Sequence, residues 1–588
     1  MLKFFKYLKP YKWQVLLLLF SVAVQTQSTL QLPTLMADIV NKGIVANDMS
    51  YVWITGFRML GFALLTAFGA FLSNYFSARI GTAVSRDIRN DIFKKVMSLP
   101  IAEIDKFSTA SLITRTTNDV QQVQQTVVLC LSMLLRVPMM AIGAIFQAIA
   151  TAPNMTWIIA LAVIVLFAMV TTIMSIVMPK FKIFQKLVDK ITLLTRENLT
   201  GLRVIRAFNN EKLEQNKFLK ANNDITKVNI FINNVMSLES PLMTVVFNGT
   251  SLLCIWIGIS LIETDFSYLG NMMAFMQYAT QVVMSFLFLI MLLVILPRAN
   301  VSAGRINEVM NTKSKIRWQK HTVGTPTKAP SVEFKQVSFA YGNSDTDVLS
   351  DISFKAEAGK TTAFIGSTGS GKSTLVNLVP RFYEAKEGSI LINGINIKDY
   401  AMSDLMQKIG YVPQRGILFS GNIQSNITFG NLTASSQEVE RAAKVSQSLE
   451  FIKKLDDKYE SHIAQGGTNV SGGQKQRLSI ARAIAKNPEI YIFDDSFSAL
   501  DMKTDANLRR ELKSITQNSV VLLVAQRIST IKDADQIIVL DNGKIVGKGT
   551  HYQLLQNCPV YQEITRSQLS EKEFTKELKL AAKNKENQ

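Results

Sequence analysis

The sequence predicts an α-helical six-span membrane domain fused to an α/β P-loop nucleotide-binding domain. Three observations carry that expectation. Six long apolar runs crowd residues 1–310, whereas 331–588 read like a soluble domain. A short β-prone run, Thr361–Ile365, leads directly into Gly366-Ser367-Thr368-Gly369-Ser370-Gly371-Lys372-Ser373. Much later, the apolar run from Ile490 ends in Asp494. A chain of 588 residues exceeds one hydrophobic core. The expected division is a membrane domain over 1–311, a linker over 312–330, a nucleotide-binding domain over 331–568 and a polar tail over 569–588.

The spans come first. Crossing a bilayer takes about 20 mostly apolar residues as a helix. Segments 13–40, 53–80, 127–150, 155–178, 242–262 and 269–296 qualify. They are expected as helices because lipid offers the backbone no hydrogen-bond partner. Lys3, Lys6, Lys9 and Lys12 before Trp13 superficially resemble a signal peptide. The apolar run continues too long and meets no small-residue cleavage site, so it reads as the first span.

The net charge of +19 raises nucleic acid as a partner, but the placement of the charges excludes it. Seven Lys or Arg fall in 79–115 and eleven in 180–227, whereas 43–52, 150–154 and 263–268 hold none. Basic loops stay in the cytoplasm. An even number of spans then puts both termini there, in a multi-pass protein of a cytoplasmic membrane. The three cysteines, Cys130, Cys254 and Cys558, have no zinc spacing and no place in an external loop.

The two basic loops are long yet helically patterned, as in 86–98, where apolar residues recur at helical spacing. Unstructured loops of that length are uncommon. The spans therefore continue as helices into the cytoplasm, with hairpin tips near Ile101–Ser108 and Thr200–Arg206. Asp38 and Arg136 fall within spans, where a charge marks a pathway or a pair. The sixth span carries Met272, Met273, Phe275, Met276, Met284, Phe286, Phe288 and Met291. Such a surface suits either repacking around greasy ligands or lipid-facing packing. A helical continuation to about Asn311 meets a polar stretch with Gly324, Pro326 and Pro330, where the boundary falls.

In the second half, Val332–Phe339 alternates like a strand and Tyr341 follows. The run Gly366–Ser373 matches the phosphate loop Gly-x4-Gly-Lys-Ser, with Thr374–Leu378 opening a helix. Glycines let backbone N–H groups converge on phosphate oxygens, and a helix start adds positive potential. Lys372 suits the β- and γ-phosphates of ATP, while Ser373 and Asp494 suit Mg2+. Between these lies Ser471-Gly472-Gly473-Gln474 at another helix start. A nucleotide already held by the first loop has no use for a second anion site. The site makes sense if it faces the nucleotide of another cassette.

On these residues the chain resembles the ATP-binding cassette (ABC) transporters. The Ser-Gly-Gly-Gln motif, after a phosphate loop and before Asp494, is similar to the family's signature. Six spans fused to one C-terminal cassette resemble a half-transporter of the type IV exporter fold, over the whole chain. The resemblance implies that Tyr341 stacks on adenine and that Gln414, in Val412-Pro413-Gln414, contacts magnesium and water. It implies that Ser498-Ala499-Leu500-Asp501 crosses to the opposite cassette, and that two cassettes lie head to tail. Arg115, Thr116, Thr117, Asn118, Asp119 and Glu197–Arg206 match the stretches around the family's coupling helices.

Two departures bear on mechanism. Asp495 stands where the family carries a catalytic glutamate, and Gln526 where it carries a histidine on the γ-phosphate. Aspartate is one methylene shorter, and a misplacement near 1 Å can cost about 100-fold. Glutamine cannot become cationic, whereas histidine can. Both losses fall on the same step. The resemblance is then to the degenerate-site subunit of heterodimeric bacterial multidrug exporters. It implies a second half-transporter chain as partner, a small amphipathic substrate taken from membrane lipid, and hydrolysis at the site completed by this chain's Ser471–Gln474 and Asp501. The alternatives are a lipid or lipopeptide flippase, a slow homodimer with Asp495 as base, an importer on the same scaffold, and a non-transporting regulatory subunit.

Overall fold

The structure is a computed structural model that describes residues 2–262, 268–326, 329–342, 344 and 346–586. The chain forms two compact units. One comprises Met1–Met97 with Thr109–Thr312; the other comprises Ser98–Ser108 with Lys313–Gln588. Most of the connection expected between the fifth and sixth spans, 263–267, lies outside the described residues.

In the first unit, six helical stretches are long and apolar enough to cross a membrane: Lys6–Ile44, Met49–Ser98, Thr109–Thr151, Pro153–Thr200, Glu211–Ile262 and Tyr268–Leu289. The helix Met49–Ser98 is unbroken over 50 residues. At about 1.5 Å per residue it reaches about 75 Å, more than twice the hydrocarbon thickness, so much of it lies outside the lipid. Its charged C-terminal half explains how: Arg86, Asp87, Arg89, Asp91, Lys94 and Lys95 tolerate water. The chain turns at Gly201 into a short helix, Leu202–Ala207, which overlaps the expected second tip.

Helix packing here uses small residues, as expected where no hydrophobic gain separates lipid from protein. A Cβ at Gly81 would lie 2.3 Å from Val128 Cγ2, and one at Gly143 would lie 2.3 Å from Leu30 Cδ1. Polar side chains bond across helices or to their own backbone. Tyr278 donates to the Leu30 carbonyl at 2.8 Å and meets Thr34 Oγ1 at 2.6 Å. Asp38 pairs with Lys42 one turn on, at 2.8 Å. Arg136 opens the helix Arg136–Thr151 after a break in the third stretch. In the sixth span Phe275 is fully buried, whereas Met284, Phe288 and Met291 are exposed. Arg115 and Asp119 are buried: Arg115 pairs with Glu308 at 2.8 Å and Asp119 with Arg305 at 2.7 Å.

The second unit is built on a six-stranded sheet. Its order is 544–549, 536–541, 361–366, 520–524, 490–494, 409–412. The pairs are parallel except at the 544–549 edge. Alternation of side chains divides two cores across this sheet. Ala363, Ile365, Tyr491 and Phe493 join one; Phe364, Ile490, Ile492 and Leu522 join the other. The second core is closed by an antiparallel sheet of Leu349–Glu357, Ser331–Phe339, Glu387–Ile392 and Ile395–Asn396. Residues 313–326 run along this unit: Trp318 lies over the Arg381 guanidinium at 4.7 Å, and Val323 N–H donates to Asp399. The stretch read as a polar tail contains a helix, Glu571–Glu586, with Ala581 fully buried.

Residues Ser98–Ser108 also belong to this unit. Asp105 accepts from the Tyr383 hydroxyl at 2.7 Å, and buried Glu103 accepts from the Lys315 N–H at 3.1 Å.

Candidate functional site

Strand Thr361–Gly366 is flanked on both sides by parallel strands, and its C-terminal end releases the loop that opens helix Lys372–Leu378. In parallel sheets ligands bind beyond the carboxyl ends of strands, where a chain leaving the sheet frees backbone groups. The glycines are required by geometry. Gly369 and Gly371 have φ +86° and +94°, a region costly for other residues. A Cβ at Gly366 would lie 2.0 Å from the Leu540 carbonyl oxygen, and one at Gly371 would lie 2.6 Å from Leu349 Cδ2.

A cleft of about 230 Å³ opens here, lined by Thr368, Gly369, Gly371, Lys372, Ser373 and Thr374 with Gln414, Asp495 and Gln526. Two larger clefts in the same unit, of about 490 and 460 Å³, contain no phosphate-loop residue, so size does not mark this site. Lys372 is buried and donates to the carbonyls of Gly366 at 3.0 Å and Ser367 at 2.7 Å. Burial holds its ammonium below the usual lysine range, against the pull of Asp495 and Asp494. Ser370 lies at the edge of the same contact, its Oγ 3.4 Å from Lys372 Nζ.

Ser373 Oγ donates to Asp494 Oδ1 at 2.7 Å. This pairs one hydroxyl with one carboxylate, all hard oxygen, at the C-terminal end of strand Ile490–Asp494. Mg2+ is commonly held by such a pair together with substrate phosphates and water. Among the described residues no group of three or more His, Cys, Asp or Glu could hold a metal ion. The donor set fits a magnesium that arrives with a nucleotide. Burial raises the Asp494 carboxyl above its ordinary range; the Ser373 hydrogen bond opposes the shift and the Asp495 charge adds to it.

Asp495 is buried and adopts φ +45°. Its Oδ2 accepts from Gln526 Nε2 at 2.9 Å and from Gln414 Nε2 at 3.3 Å. Three residues from three strand ends thus meet on one oxygen. Burial raises this carboxyl too, opposed by Gln414, Ser498, Lys372 and Arg527. Tyr341 is partly exposed, as a base-stacking platform requires. Its hydroxyl meets Thr374 Oγ1 at 3.0 Å, and its ring lies edge-on to Phe339 and Tyr383.

The second motif lies apart from this cleft. Ser471 caps helix Gly472–Ala485: its Oγ accepts from Gln474 N–H at 3.3 Å, and Ser471 N–H donates to Gln474 Oε1 at 2.9 Å. Asp501 caps helix Met502–Ile515, accepting from Thr504 N–H at 3.0 Å. A Cβ at Gly473 would lie 3.3 Å from the Ala499 carbonyl oxygen, so the two segments are neighbours. None of Ser471, Gly472, Gly473, Gln474 or Asp501 lines the phosphate cleft.

Three contributors escaped the sequence. Tyr383 buttresses Tyr341, with ring centroids 5.2 Å apart. Gln476 is buried, donates to the Pro413 carbonyl and accepts from Gly416 N–H, and so brackets Gln414. Gln568 bonds the backbone on both sides of Arg527. No local signal announces any of them, because each acts through a residue far away in sequence.

Two family models match, "ABC transporter transmembrane region" over residues 15–286 and "ABC transporter" over 349–498. An uncharacterized ABC transporter ATP-binding protein of Mycobacterium tuberculosis is 38% identical over 568 residues, covering 96% of this chain and 97% of that one. The uncharacterized ABC transporter ATP-binding protein YfiB of Bacillus subtilis is 35% identical over 97% of this chain and 98% of its own. An ATP-dependent lipid A-core flippase of Hahella chejuensis is 31% identical over 87% and 88%. Among solved structures, a bacterial Atm1-family ABC exporter with ATP bound superposes with TM-score 0.79, covering 95% of this chain and 99% of that one at 24% identity. That last likeness concerns the fold.

Proposed function

We propose, from the premise that this chain belongs to the ABC transporter family and has the architecture of an exporter half-transporter, that it is the slow-site subunit of a heterodimeric efflux pump. The cassette is that of an ATP-hydrolysing transporter, and such exporters work as dimers.

The observation that carries it is the pair of amides on Asp495. Gln526 and Gln414 both donate to one buried carboxylate oxygen. A general base needs a free lone pair within reach of the proton it removes. Here the carboxylate is one methylene short, and its Oδ2 is engaged by two neutral donors. Neither donor gains a positive charge as negative charge develops on the phosphate. Binding groups are complete: Lys372, Ser373, Asp494 and Tyr341. ATP bound on this chain persists and holds the cassettes together, biasing the membrane helices toward one state. Ser471–Gln474 and Asp501, absent from this chain's own cleft, complete the partner's site, where turnover resets the pump. The cargo is a small amphipathic compound drawn from the lipid of a bacterial cytoplasmic membrane.

The test is to purify the tagged chain gently from its native membrane and identify what accompanies it. A stoichiometric second half-transporter carrying Glu and His at the two altered positions supports the pump. This chain alone, as a dimer with measurable ATPase, overturns it in favour of the slow homodimer. The relationship to a lipid A-core flippase favours a second reading, a lipid or lipopeptide flippase. ATPase that depends on lipid headgroup distinguishes it from a multidrug pump.

A further inference from the structure

We propose that Gln568 is a positioning residue for Gln526, so that the C-terminal elbow of the cassette sets how firmly this chain's site reads a terminal phosphate. The proposal rests on the reading of Gln526 as the residue that faces the γ-phosphate.

The geometry is a two-sided clamp. Gln568 Nε2 donates to the Gln526 carbonyl oxygen at 2.7 Å, while its Oε1 accepts from Ile528 N–H at 2.9 Å. One side chain thus ties the peptide groups before and after Arg527. Those groups need a partner. Ile528 begins a helix of only four residues, Ile528–Ile531, and Arg527 provides no side-chain cap. The N–H groups at a helix start have no intrahelical acceptor. Gln526 lies just beyond strand Val520–Val524, where the sheet no longer pairs its backbone. Without the clamp these two backbone bonds are lost, and the segment is held by the buried side chains of Ala525 and Ile528 and by the Arg527 guanidinium, which reaches the Ser498 carbonyl at 3.3 Å.

Gln568 is itself held. It ends helix Pro559–Gln568, whose first turn packs fully buried Tyr561 against the core. Ser570 then caps the next helix through Glu573, and Phe574 and Leu578 of that helix pack against the same core. The clamp therefore stands on an elbow fixed at both arms. The far end of the chain of contacts is Gln526 Nε2, 2.9 Å from Asp495. Freeing the backbone of Gln526 lets its amide leave that position. Positioning errors near 1 Å are enough to matter in phosphoryl chemistry.

The experiment uses the complex of this chain with its partner. Azido-ATP is photo-crosslinked to this chain and competed with ATP and with ADP, giving the ATP-over-ADP preference of this site alone. Gln568→Ala is expected to lower that preference about three- to tenfold, the range of one or two net hydrogen bonds, with ADP affinity unchanged. Gln568→Glu, which keeps the acceptor for Ile528 and loses the donor, should fall between. Gln526→Ala should lower the preference at least as much, and the double variant no further. An unchanged preference in Gln568→Ala beside a lowered one in Gln526→Ala overturns the clamp. So does a loss that adds to that of Gln526→Ala, or a fall in thermal stability alone. If Gln526→Ala itself leaves the preference unchanged, the reading of Gln526 fails first.

Discussion

Gln526 donates its side-chain amide to Asp495 Oδ2 at 2.9 Å, the oxygen that Gln414 also approaches at 3.3 Å. The two residues proposed to depart from the family pattern are therefore in direct contact, although 31 positions separate them. On the slow-site proposal they form one unit rather than two independent changes. Restoring one without the other leaves a mismatched pair.

The pair should consequently respond together. In a complex whose partner site has been disabled, Asp495→Glu with Gln526→His should raise ATP turnover on the order of 100-fold, the reciprocal of a misplacement near 1 Å. Each single change should recover far less than half of that on a logarithmic scale. Unchanged ATPase in the reconstituted double variant would remove these residues from the chemistry.

Lys372→Ala is expected to separate binding from hydrolysis. The substitution removes the buried ammonium that suits the phosphates. A charged hydrogen bond contributes about 1.5–3 kcal/mol, so nucleotide retention on this chain should weaken roughly 10- to 100-fold. ATPase of the complex should fall only in part. Complete loss of hydrolysis would make this site the main engine and contradict the slow-site reading.

Acid should release Mg2+ and ATP from this site. Burial raises the Asp494 and Asp495 carboxyls above their ordinary range. A raised carboxyl contributes stability to the ligand-free fold that is fully present below the unfolded carboxyl pKa and lost as pH rises through the folded one. Magnesium needs Asp494 ionised, so retention should drop as pH falls through the raised value. The Asp495 charge is one cause of the Asp494 shift, with Lys372 opposing it. Asp495→Asn should therefore move the retention curve to lower pH. A curve that stays in place, measured as bound nucleotide against pH, would disprove the coupling.

Tyr383 joins Tyr341, proposed to stack on adenine, to residues 98–108 within one unit. It is edge-on to Tyr341 and donates to Asp105. Burial and the neighbouring Asp105 raise its phenol, so it stays a neutral donor at physiological pH. Tyr383→Phe keeps the ring and loses only the donor, about 1.5–3 kcal/mol for a bond to a carboxylate. ATP affinity should hold while transport of an amphipathic dye into inverted vesicles declines relative to ATPase. A proportional fall in both would indicate simple destabilisation.

Much of the architecture was legible in sequence because its causes are local. Each expected span falls within a long helical stretch, the third broken before Arg136, since a run of apolar side chains forces the backbone to satisfy itself. The loop Gly366–Ser373 was legible because its φ values demand glycine at fixed spacing. The strands Thr361–Gly366 and Ile490–Asp494 fell where β-prone runs stopped. Over 571–586 the sequence left a frayed helix and disorder both open. The composition there is polar, and only a few side chains, Phe574, Leu578 and Ala581, find the core.

By itself, then, the sequence determined the membrane half, the phosphate loop and the motif at Ser471, and it singled out Asp495 and Gln526. It placed Asp495 and Gln526 on separate motifs and left their relation open. Tertiary structure alone decided that they touch, that Gln568 clamps one of them and that Tyr383 meets Asp105 278 positions away. The reason is physical. Periodicity and backbone preference act over a few residues. Contacts among the ends of neighbouring strands exist only once parallel pairing has set their order and register.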